Sequence, residues 1–515
     1  IKMAPLIHTF KNDSNYCVKV GVTAQHREML DQVIRFFNIE VDYDLNVMKP
    51  NQTLPQLTAD LISKITNEIL LKESFDYVFV QGDTTTVLAS SLAAFYQKIE
   101  VVQHDKKRTT NSYVLGAVTT VAGLAVITTV AAIIAIALKS SCPFVSAYDG
   151  TDFTLQGEIF GGAIYPQLSL KDYLSLNMAP MQDGTLQLKI SNELKEKQYT
   201  DLAKLWVIHH RKNSKVIVDE KGNLHTISEP QQPVSAMLNH RDIRSAIIAA
   251  NDQQIVYMED TTRKDALNEI TLRFKKPLHA KQGKLILRMK NSYFLDLLYG
   301  ELAMNMGNYY SSFVNQQKKK SATELLKWVN KQNVPLTIGV NSPAGWKNQA
   351  ALTTVGPLAF RESVIMLDLL NIYSNEVEIK LSSGFMFWEI DYAAIDYSDN
   401  ELIEVELLNP ESAIDESNID VRAAVTKEDG NYLTQPNIGN VATITYRSAR
   451  KVDPLTHQSY VLETKGYYEH IRNFQHEPDF AFLKQFRKPG AFPAYGMRLY
   501  KKIKIQSATS LARLN

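Results

Sequence analysis

Cysteine is nearly absent from this chain. Its 515 residues hold two, Cys17 and Cys142, too few for the bridged framework that holds small secreted folds together. Neither has the companions of a zinc site, and His209-His210, adjacent on an expected strand, would point to opposite faces, so no metal centre is expected. Charge of one sign is lacking too: 56 Lys and Arg face 55 Asp and Glu, a formal net charge of +1. With no excess of cations to meet a polyanion, nucleic acid is not an expected partner. The cluster Lys318-Lys319-Lys320 reads as a solvated helix end.

One stretch lacks charge altogether. Tyr113 to Leu138, YVLGAVTTVAGLAVITTVAAIIAIAL, holds no charged residue, no Asn or Gln and no Pro. As a helix it would reach about 39 Å at roughly 1.5 Å per residue, more than the roughly 30 Å hydrocarbon core of a bilayer. A transmembrane helix is the expectation, with a buried core helix or a cleaved signal as the competing readings. Asp105-Lys106-Lys107-Arg108 precede it closely and Lys139 is the one base near its far end, so the positive-inside bias makes the N-terminal part cytoplasmic and the remainder extracytoplasmic, in a single-pass membrane protein. Ser140-Ser141-Cys142 leaves lipid attachment at the cysteine open.

Before that stretch, strand and helix signals alternate. Cys17 to Val22 reads as a strand, Arg27 to Phe37 and Leu54 to Leu71 as helices, and Asp76 to Gln81 (DYVFVQ) as a strand buried on both faces of a parallel sheet. Thr84 to Lys98 then makes a helix and Glu100 to Gln103 begins another strand. The alternation implies a Rossmann-like α/β half, whose ligands bind beyond the carboxyl ends of the strands, where Gln25-His26 and Gly82-Asp83-Thr84 fall. An Asp in that place suits acid/base work, and it equally suits capping the helix that follows.

The runs IKMAPLIHTF, VTAQHREMLDQV, YDLNVM and QGDTTTVLASSLAAFYQ resemble the N-terminal part of the non-hydrolysing UDP-N-acetylglucosamine 2-epimerases, continuously from Ile1 to about His104. The resemblance implies two Rossmann-like domains with a UDP-sugar between them, no cofactor, and an isomerase that eliminates UDP and adds it back with the acetamido carbon inverted. By matching positions, Asp83 would be a catalytic carboxylate. Lys2 would help hold the phosphates, and Gln25 with His26 would line a second, regulatory nucleotide-sugar site.

The pattern then breaks. The family opens with a strand and a Gly-Thr-Arg-Pro-Glu loop ahead of the position of Ile1, and continues after His104 as Val-Glu-Ala-Gly-Leu-Arg-Thr, which carries a further catalytic glutamate. Here the chain reads Asp105-Lys106-Lys107-Arg108-Thr109-Thr110, and the family's second domain does not follow. Acid/base epimerisation needs groups on both faces of the sugar carbon, so residues 1–104 read as a truncated, inactive epimerase piece. Its junction near His104 is either a natural fusion or an artefact of gene assembly.

Beyond Cys142 the chain turns to short β-branched and aromatic strands. PFVSAYDGTDFTLQGEI reads as a hairpin across Asp149-Gly150, and further strands follow at the spacing of a sandwich. A helical region lies between Asn291 and Gln332. Asp242-Ile243-Arg244, Tyr257, ITLRF and LILRMKNSYF recur in order as Asp420-Val421-Arg422, Tyr432, ATITYR and YVLETKGYY, about 180 residues on, which predicts two copies of one β domain. The Asp-x-Arg pairs read as surface ion pairs.

The expected organisation is therefore an α/β half-domain (1–104), a basic flank with the transmembrane helix (105–141), a first β domain (142–290), a helical insert (291–332) and a second β domain (333–515). The opening SCPFV-x-x-YDG resembles uncharacterised bacterial envelope proteins. No catalytic triad, paired carboxylate or phosphate loop marks the β part, and Trp206, Trp346 and Trp388 serve a core as readily as a sugar-binding surface. Two functions follow: a UDP-N-acetylglucosamine 2-epimerase with an incomplete active site, or a membrane-anchored β protein that binds or scaffolds an extracytoplasmic ligand.

Overall fold

The computed structural model describes residues 16–23, 39–47, 54–80, 85–103, 142–252, 254–450 and 456–512, with residues 7, 10 and 11. The chain divides into two compact units, residues 1–130 with 503–515, and residues 131–502.

The first unit carries the expected alternation. β1 (Gly21–Val22) pairs in parallel with β2 (Tyr43–Asp44), and β3 (Tyr77–Val80) in parallel with β4 (Glu100–Gln103). Helix α1 (Leu54–Lys64) runs on as a π-helical turn, Ile65–Leu70, and α2 (Thr85–Tyr96) links β3 to β4. Leu57, Leu61 and Ile65, spaced by four, bury one face against Ala89, Ala93 and Ala94. The small residues of α2 let the helices approach, and the spacing of four puts each set on one face.

The second unit is mainly β. In chain order come β5 (Phe144–Tyr148), β6 (Phe153–Glu158), β7 (Leu170–Leu176), β8 (Thr185–Ser191) and β9 (Glu196–Arg211), then a hairpin of β10 (Lys215–Val218) and β11 (Leu224–Ile227). β12 (Ser235–Leu238), β13 (Arg241–Asp242), β14 (Val256–Tyr257), β15 (Leu267–Lys275) and β16 (Gln282–Asn291) follow. Three helices, α3 (Tyr293–Met304), α4 (Tyr310–Gln317) and α5 (Ala322–Lys331), lead to β17 (Leu336–Ser342), β18 (Gly345–Leu352), β19 (Arg361–Asp368), β20 (Glu376–Gly384) and β21 (Trp388–Asp396). Last are β22 (Glu404–Leu408), β23 (Ser412–Asp415), the short helix α6 (Arg422–Thr426), β24 (Leu433–Gln435), β25 (Val441–Arg447), β26 (Thr456–His470), α7 (Phe480–Lys484) and α8 (Ala491–Ala512). The hairpin across Asp149-Gly150 forms as β5–β6.

Strand pairing builds two sandwiches of the same plan. The first stacks the sheet β23-β25-β8-β5-β6 on β22-β9-β26-β7, with β24 beside β9. The second stacks β13-β12-β15-β20-β17-β18 on β14-β21-β16-β19. Matching strand for strand, β5 to β9 correspond to β17 to β21, and β23 to β26 to β12 and β14 to β16. Each sandwich thus takes its first half from one sequence repeat and its second half from the other. The repeats divide the sequence near residues 290 and 332, and the sheets cut across that division.

Irregularities in the ladders repeat as well. Gln156 bulges out of β6 between Val145 and Ser146 of the partner strand, and Gln349 out of β18 between Ile338 and Gly339. Each side chain accepts a backbone N–H at 2.7 Å, from Asn177 and Asp368 respectively. Asp201 of β9 and Asp391 of β21 are likewise skipped by their partner strands, and they accept the backbone N–H of Gly430 at 3.0 Å and of Asn251 at 3.2 Å. A bulge leaves one residue without a ladder partner, and here its side chain ties down the neighbouring loop. The Asp-x-Arg sites are local side-chain-to-backbone turns, not ion pairs: Asp242 and Asp420 accept the backbone N–H of Arg244 and Arg422 at 2.9 and 2.8 Å.

The β10–β11 hairpin fills the seam between the sandwiches. Val216 and Val218 pack with Ile208 and Val461 of the first, while Ile217 and Ile227 pack with Ile286, Val364 and Ala394 of the second. Period-two alternation sends successive residues to opposite partners. Helices α3, α5 and α8 cover one side of the second sandwich, where Phe492 is fully buried and its N–H is held by the Gln332 side chain at 2.8 Å.

The expected membrane span is corrected here. No helix among the described residues is long and apolar enough to cross a membrane, and residues 113–138, on which that expectation rested, lie outside the described residues. The single-pass placement, with one part cytoplasmic and the other extracytoplasmic, falls with the helix that was its basis.

Candidate functional site

In the first unit the described backbone brings two strand ends together. Thr23, just past β1, lies 3.2 Å from Thr86 in the first turn of α2, oxygen to oxygen. Thr23 immediately precedes the segment holding Gln25 and His26, and Thr86 closely follows Asp83. Lys2, Gln25, His26 and Asp83 themselves lie outside the described residues.

The second unit holds a site that the sequence did not announce. The inward face of β9 beside β24 and β26 is polar. Glu196 stands across from His470, and Gln198 across from Tyr468 on one side and Gln435 on the other. Glu196, Gln198, Thr200 and Gln435 are each 2% exposed or less. Gln198 donates its amide N–H to Glu196 Oε1 at 2.8 Å. Glu196 Oε2, Gln198 Oε1, Thr200 Oγ1 and Gln435 Oε1 find no hydrogen-bond partner among the described residues.

Burial pushes the Glu196 carboxyl up to about 8, chiefly because an ion there would lose its hydration. A protonated Glu196 gains an O–H, the donor that its own Oε2 and the neighbouring Gln198 Oε1 lack. An acid and an amide can then bond twice, head to head. Cys142 and Tyr468 hydrogen-bond beside this row, and burial raises both well above their usual ranges.

The second sandwich has no such row. The shared register of the two bulges puts Trp388 and Ile390 where the first sandwich has Gln198 and Thr200, and both are fully buried in an apolar core. Polarity at these positions is therefore peculiar to one copy.

At the open end of the row lies a cleft of about 290 Å³. One wall is the face of α4 carrying Tyr310, Val314 and Asn315, with Lys318 just beyond its end; Tyr165 and the end of β26, Glu469 to Arg472, form the others. Lys318 and Glu469 make an ion pair at 2.6 Å. Arg472 hydrogen-bonds Tyr310. His470 sits edge-on to Tyr468, ring centres 5.3 Å apart, and its Nε2 is buried without a hydrogen-bond partner among the described residues. Loss of hydration first, and then the Arg472 charge, lower its pKa to about 3, so the ring is neutral. Among the described residues no group of three His, Cys, Asp or Glu is placed to hold a metal ion.

A signal for this site does exist in the sequence. Glu196, Gln198 and Thr200 alternate along one strand face, and a polar alternation whose complement, Lys197 and Tyr199, is also polar or amphipathic leaves the inward face undecided. Only the pairing with β24 and β26 decides it.

The family match falls in the first unit. The profile of the UDP-N-acetylglucosamine 2-epimerase family matches residues 8–106. The UDP-N-acetylglucosamine 2-epimerase of Salmonella borreze is 56% identical over 101 residues, 20% of this chain and 26% of that protein. The Escherichia coli K12 enzyme is 54% identical over 101 residues, 20% of this chain and 27% of its own. A crystal structure of the Neisseria meningitidis UDP-GlcNAc 2-epimerase bound to UDP-GlcNAc is 52% identical over 22% of this chain and 30% of that one, with a TM-score of 0.20. The chain spans about a quarter of the length of the curated relatives it matches, and the rest of it has no epimerase match.

Proposed function

We propose that the N-terminal part of the chain binds a UDP-sugar and does not epimerise it. The observation that carries this reading is the match over residues 8–106, which includes the Gln25-His26 and Asp83 positions. Support comes also from the meeting of Thr23 and Thr86, since α/β sheets bind ligands beyond the carboxyl ends of their strands. On this reading Lys2 neutralises phosphate charge, and Asp83 is a carboxylate without its catalytic partner. Inversion at the acetamido carbon takes a proton from one face and returns one to the other. The glutamate of the family's Val-Glu-Ala-Gly-Leu-Arg-Thr run has no counterpart in Asp105-Lys106-Lys107-Arg108-Thr109-Thr110.

Calorimetric titration of the full chain with UDP and UDP-N-acetylglucosamine, with proton NMR to follow the manno epimer, tests both halves of the reading. Binding that weakens about tenfold in Lys2→Ala, without turnover, is expected. Turnover abolished by Asp83→Asn would overturn the claim of inactivity, and absence of binding would overturn the claim of a UDP-sugar site.

A further inference from the structure

We propose that the protein pairs with a second copy of itself through two unlike patches, one basic and one acidic, each carrying exposed apolar side chains. The basic patch is made of two adjacent turns. In the loop from β15 to β16 the N–H of Ala280 bonds the carbonyl of Pro277 at 3.0 Å, and in the loop from β19 to β20 the N–H of Ile372 bonds that of Leu369 at 3.0 Å. Each turn thus puts a leucine, Leu278 or Leu370, at its first corner. The loops are tied together from Lys276 to Asn375 and from Leu369 to Lys281, at 2.8 and 2.9 Å. Leu278 and Tyr373 are each 78% exposed, and Leu370 is exposed beside them. Residues 275–282 hold three lysines and no acid, and residues 369–375 hold no charge. Lys275, His279 and Lys281 face solvent around the apolar trio.

Folding alone does not ask for these side chains. In the first sandwich the loop between β7 and β8, which corresponds to that between β19 and β20, closes its turn from the N–H of Gly184 to the carbonyl of Met181 at 2.9 Å, with Gln182 and Asp183 at the corners. A large apolar side chain held out in water by a fixed turn gains nothing until another surface covers it.

The acidic patch is the run Asp399 to Leu407, DNELIEVEL, with four acids and no base. One of the acids, Glu404, is met by Arg450. Leu402 is fully exposed, and Val405 and Leu407 are exposed on β22, the edge strand of its sheet. Both lie directly across from Ile208 and Trp206 of β9, so they carry the apolar strip of the seam out to the sheet edge. Edge strands that stay single are guarded by Lys or Pro, and β22 contains neither.

The two patches emerge side by side. Lys284, near the start of β16, pairs with Asp396 at the end of β21, and a Cβ on Gly283 would meet the Tyr397 ring at 3.2 Å. The loop entering β16 and the run leaving β21 therefore share one end of the second sandwich. A two-fold axis there lays the basic patch of each copy on the acidic patch of the other, the self-complementary arrangement of a closed dimer. Either patch on its own like would set equal charges face to face, so opposite charge selects the crossed contact.

Sedimentation velocity of the full chain over a range of concentrations should show a monomer–dimer equilibrium that weakens as salt is raised. The pair Lys275→Glu and Lys281→Glu, and separately the pair Asp399→Lys and Glu404→Lys, should each weaken the dimer about tenfold or more with the thermal midpoint unchanged, since all four positions are exposed. Mixing the two double variants in equal amounts should restore association, because the mixed dimer keeps one native contact and makes one with both charges exchanged. Leu278→Ser with Tyr373→Ser should weaken the dimer without altering its response to salt. Four results would overturn the proposal: a monomer at every concentration, including one that instead binds vesicles of anionic phospholipid; a dimer that neither charge-reversed pair weakens; a mixture that stays monomeric; or protease cleavage at Leu402 as fast in the dimer as in the monomer.

Discussion

Arg361 holds both carboxylate oxygens of Asp172, at 2.5 and 3.0 Å, from a position 189 residues away and in the other sandwich. The same guanidinium donates to the backbone carbonyl of Glu158. Asp172 in turn accepts the N–H of Phe160 at 2.8 Å. Asp172→Ala therefore leaves a largely buried guanidinium facing an empty site and frees a buried N–H. Removing one partner of a buried pair costs about 3 to 5 kcal/mol, and a urea midpoint shift of that size with unchanged slope is expected. A shift under about 1 kcal/mol would mean that the clamp is screened as a surface pair would be.

Stability should peak in mildly acidic solution. Glu196 titrates at about 8 folded against 4.5 as a free side chain, so between those values the folded state holds the extra proton and stability falls as pH rises. His470 titrates at about 3 against 6.5, so between those values the unfolded state holds the extra proton and stability falls as pH drops. The two slopes cancel from 4.5 to 6.5. Above that window stability should decline by about 1.4 kcal/mol per pH unit until Glu196 ionises. Denaturant titrations at stepped pH measure this, and Glu196→Gln should flatten the alkaline limb while leaving the acid one. An alkaline limb that survives in Glu196→Gln assigns the slope to another group.

Gly466→Ala should prevent the first sandwich from closing. A Cβ at this position would meet the carbonyl oxygen of Tyr199 at 2.2 Å and the Phe160 ring at 2.5 Å. Gly466 sits at the bulge opposite Thr200, where β9 and β26 approach most closely, and backbone cannot retreat as a side chain can. Loss of soluble, cooperatively unfolding protein is expected. A midpoint within about 0.5 kcal/mol of the parent would contradict the packing described.

A chain cut once at Leu402 should remain one particle. Leu402 is fully exposed in the link between β21 and β22, a natural place for protease attack. Because β22, β24, β25 and β26 pair with β7, β8 and β9 across the cut, the two fragments are interlaced by whole ladders. Two bands on a denaturing gel with a single native elution volume are expected. Separate elution of the fragments would refute the crossed arrangement.

The sequence announced strands, turns and a repeat because these are local. Asp149-Gly150 marks a turn wherever it occurs, and the recurrence of Asp-x-Arg reflects a side chain that bonds backbone two residues on. Which half of a repeat pairs with which is not local. β9 meets β26 through alternating apolar faces that β16 offers equally well, so pattern and period do not distinguish the crossed pairing from the uncrossed one. The cleft was missed for the same reason: His470 and Glu196 are neighbours only through that pairing. Gln156 and Gln349 were also legible in principle, but a glutamine at a bulge looks like any polar residue on an exposed strand face. In the first unit the resemblance rested on contiguous runs, which is why it needed no tertiary information.

The crossing of halves has a consequence for synthesis. The second sandwich can close once the ribosome has delivered Asp396, whereas the first, begun at Phe144, waits for β26 to end at His470. At about 5 to 20 residues per second β7 and β9, and the open edge of β8 beside the paired β5 and β6, wait tens of seconds for their later partners. During that time β12 to β16, which share the plan of the missing half, are the nearest substitute, and so are the late strands of a neighbouring nascent chain. On a crowded polysome, closure within one molecule and exchange between two are therefore competing reactions, and their ratio is set by the rate of translation and the spacing of ribosomes as well as by the final contacts.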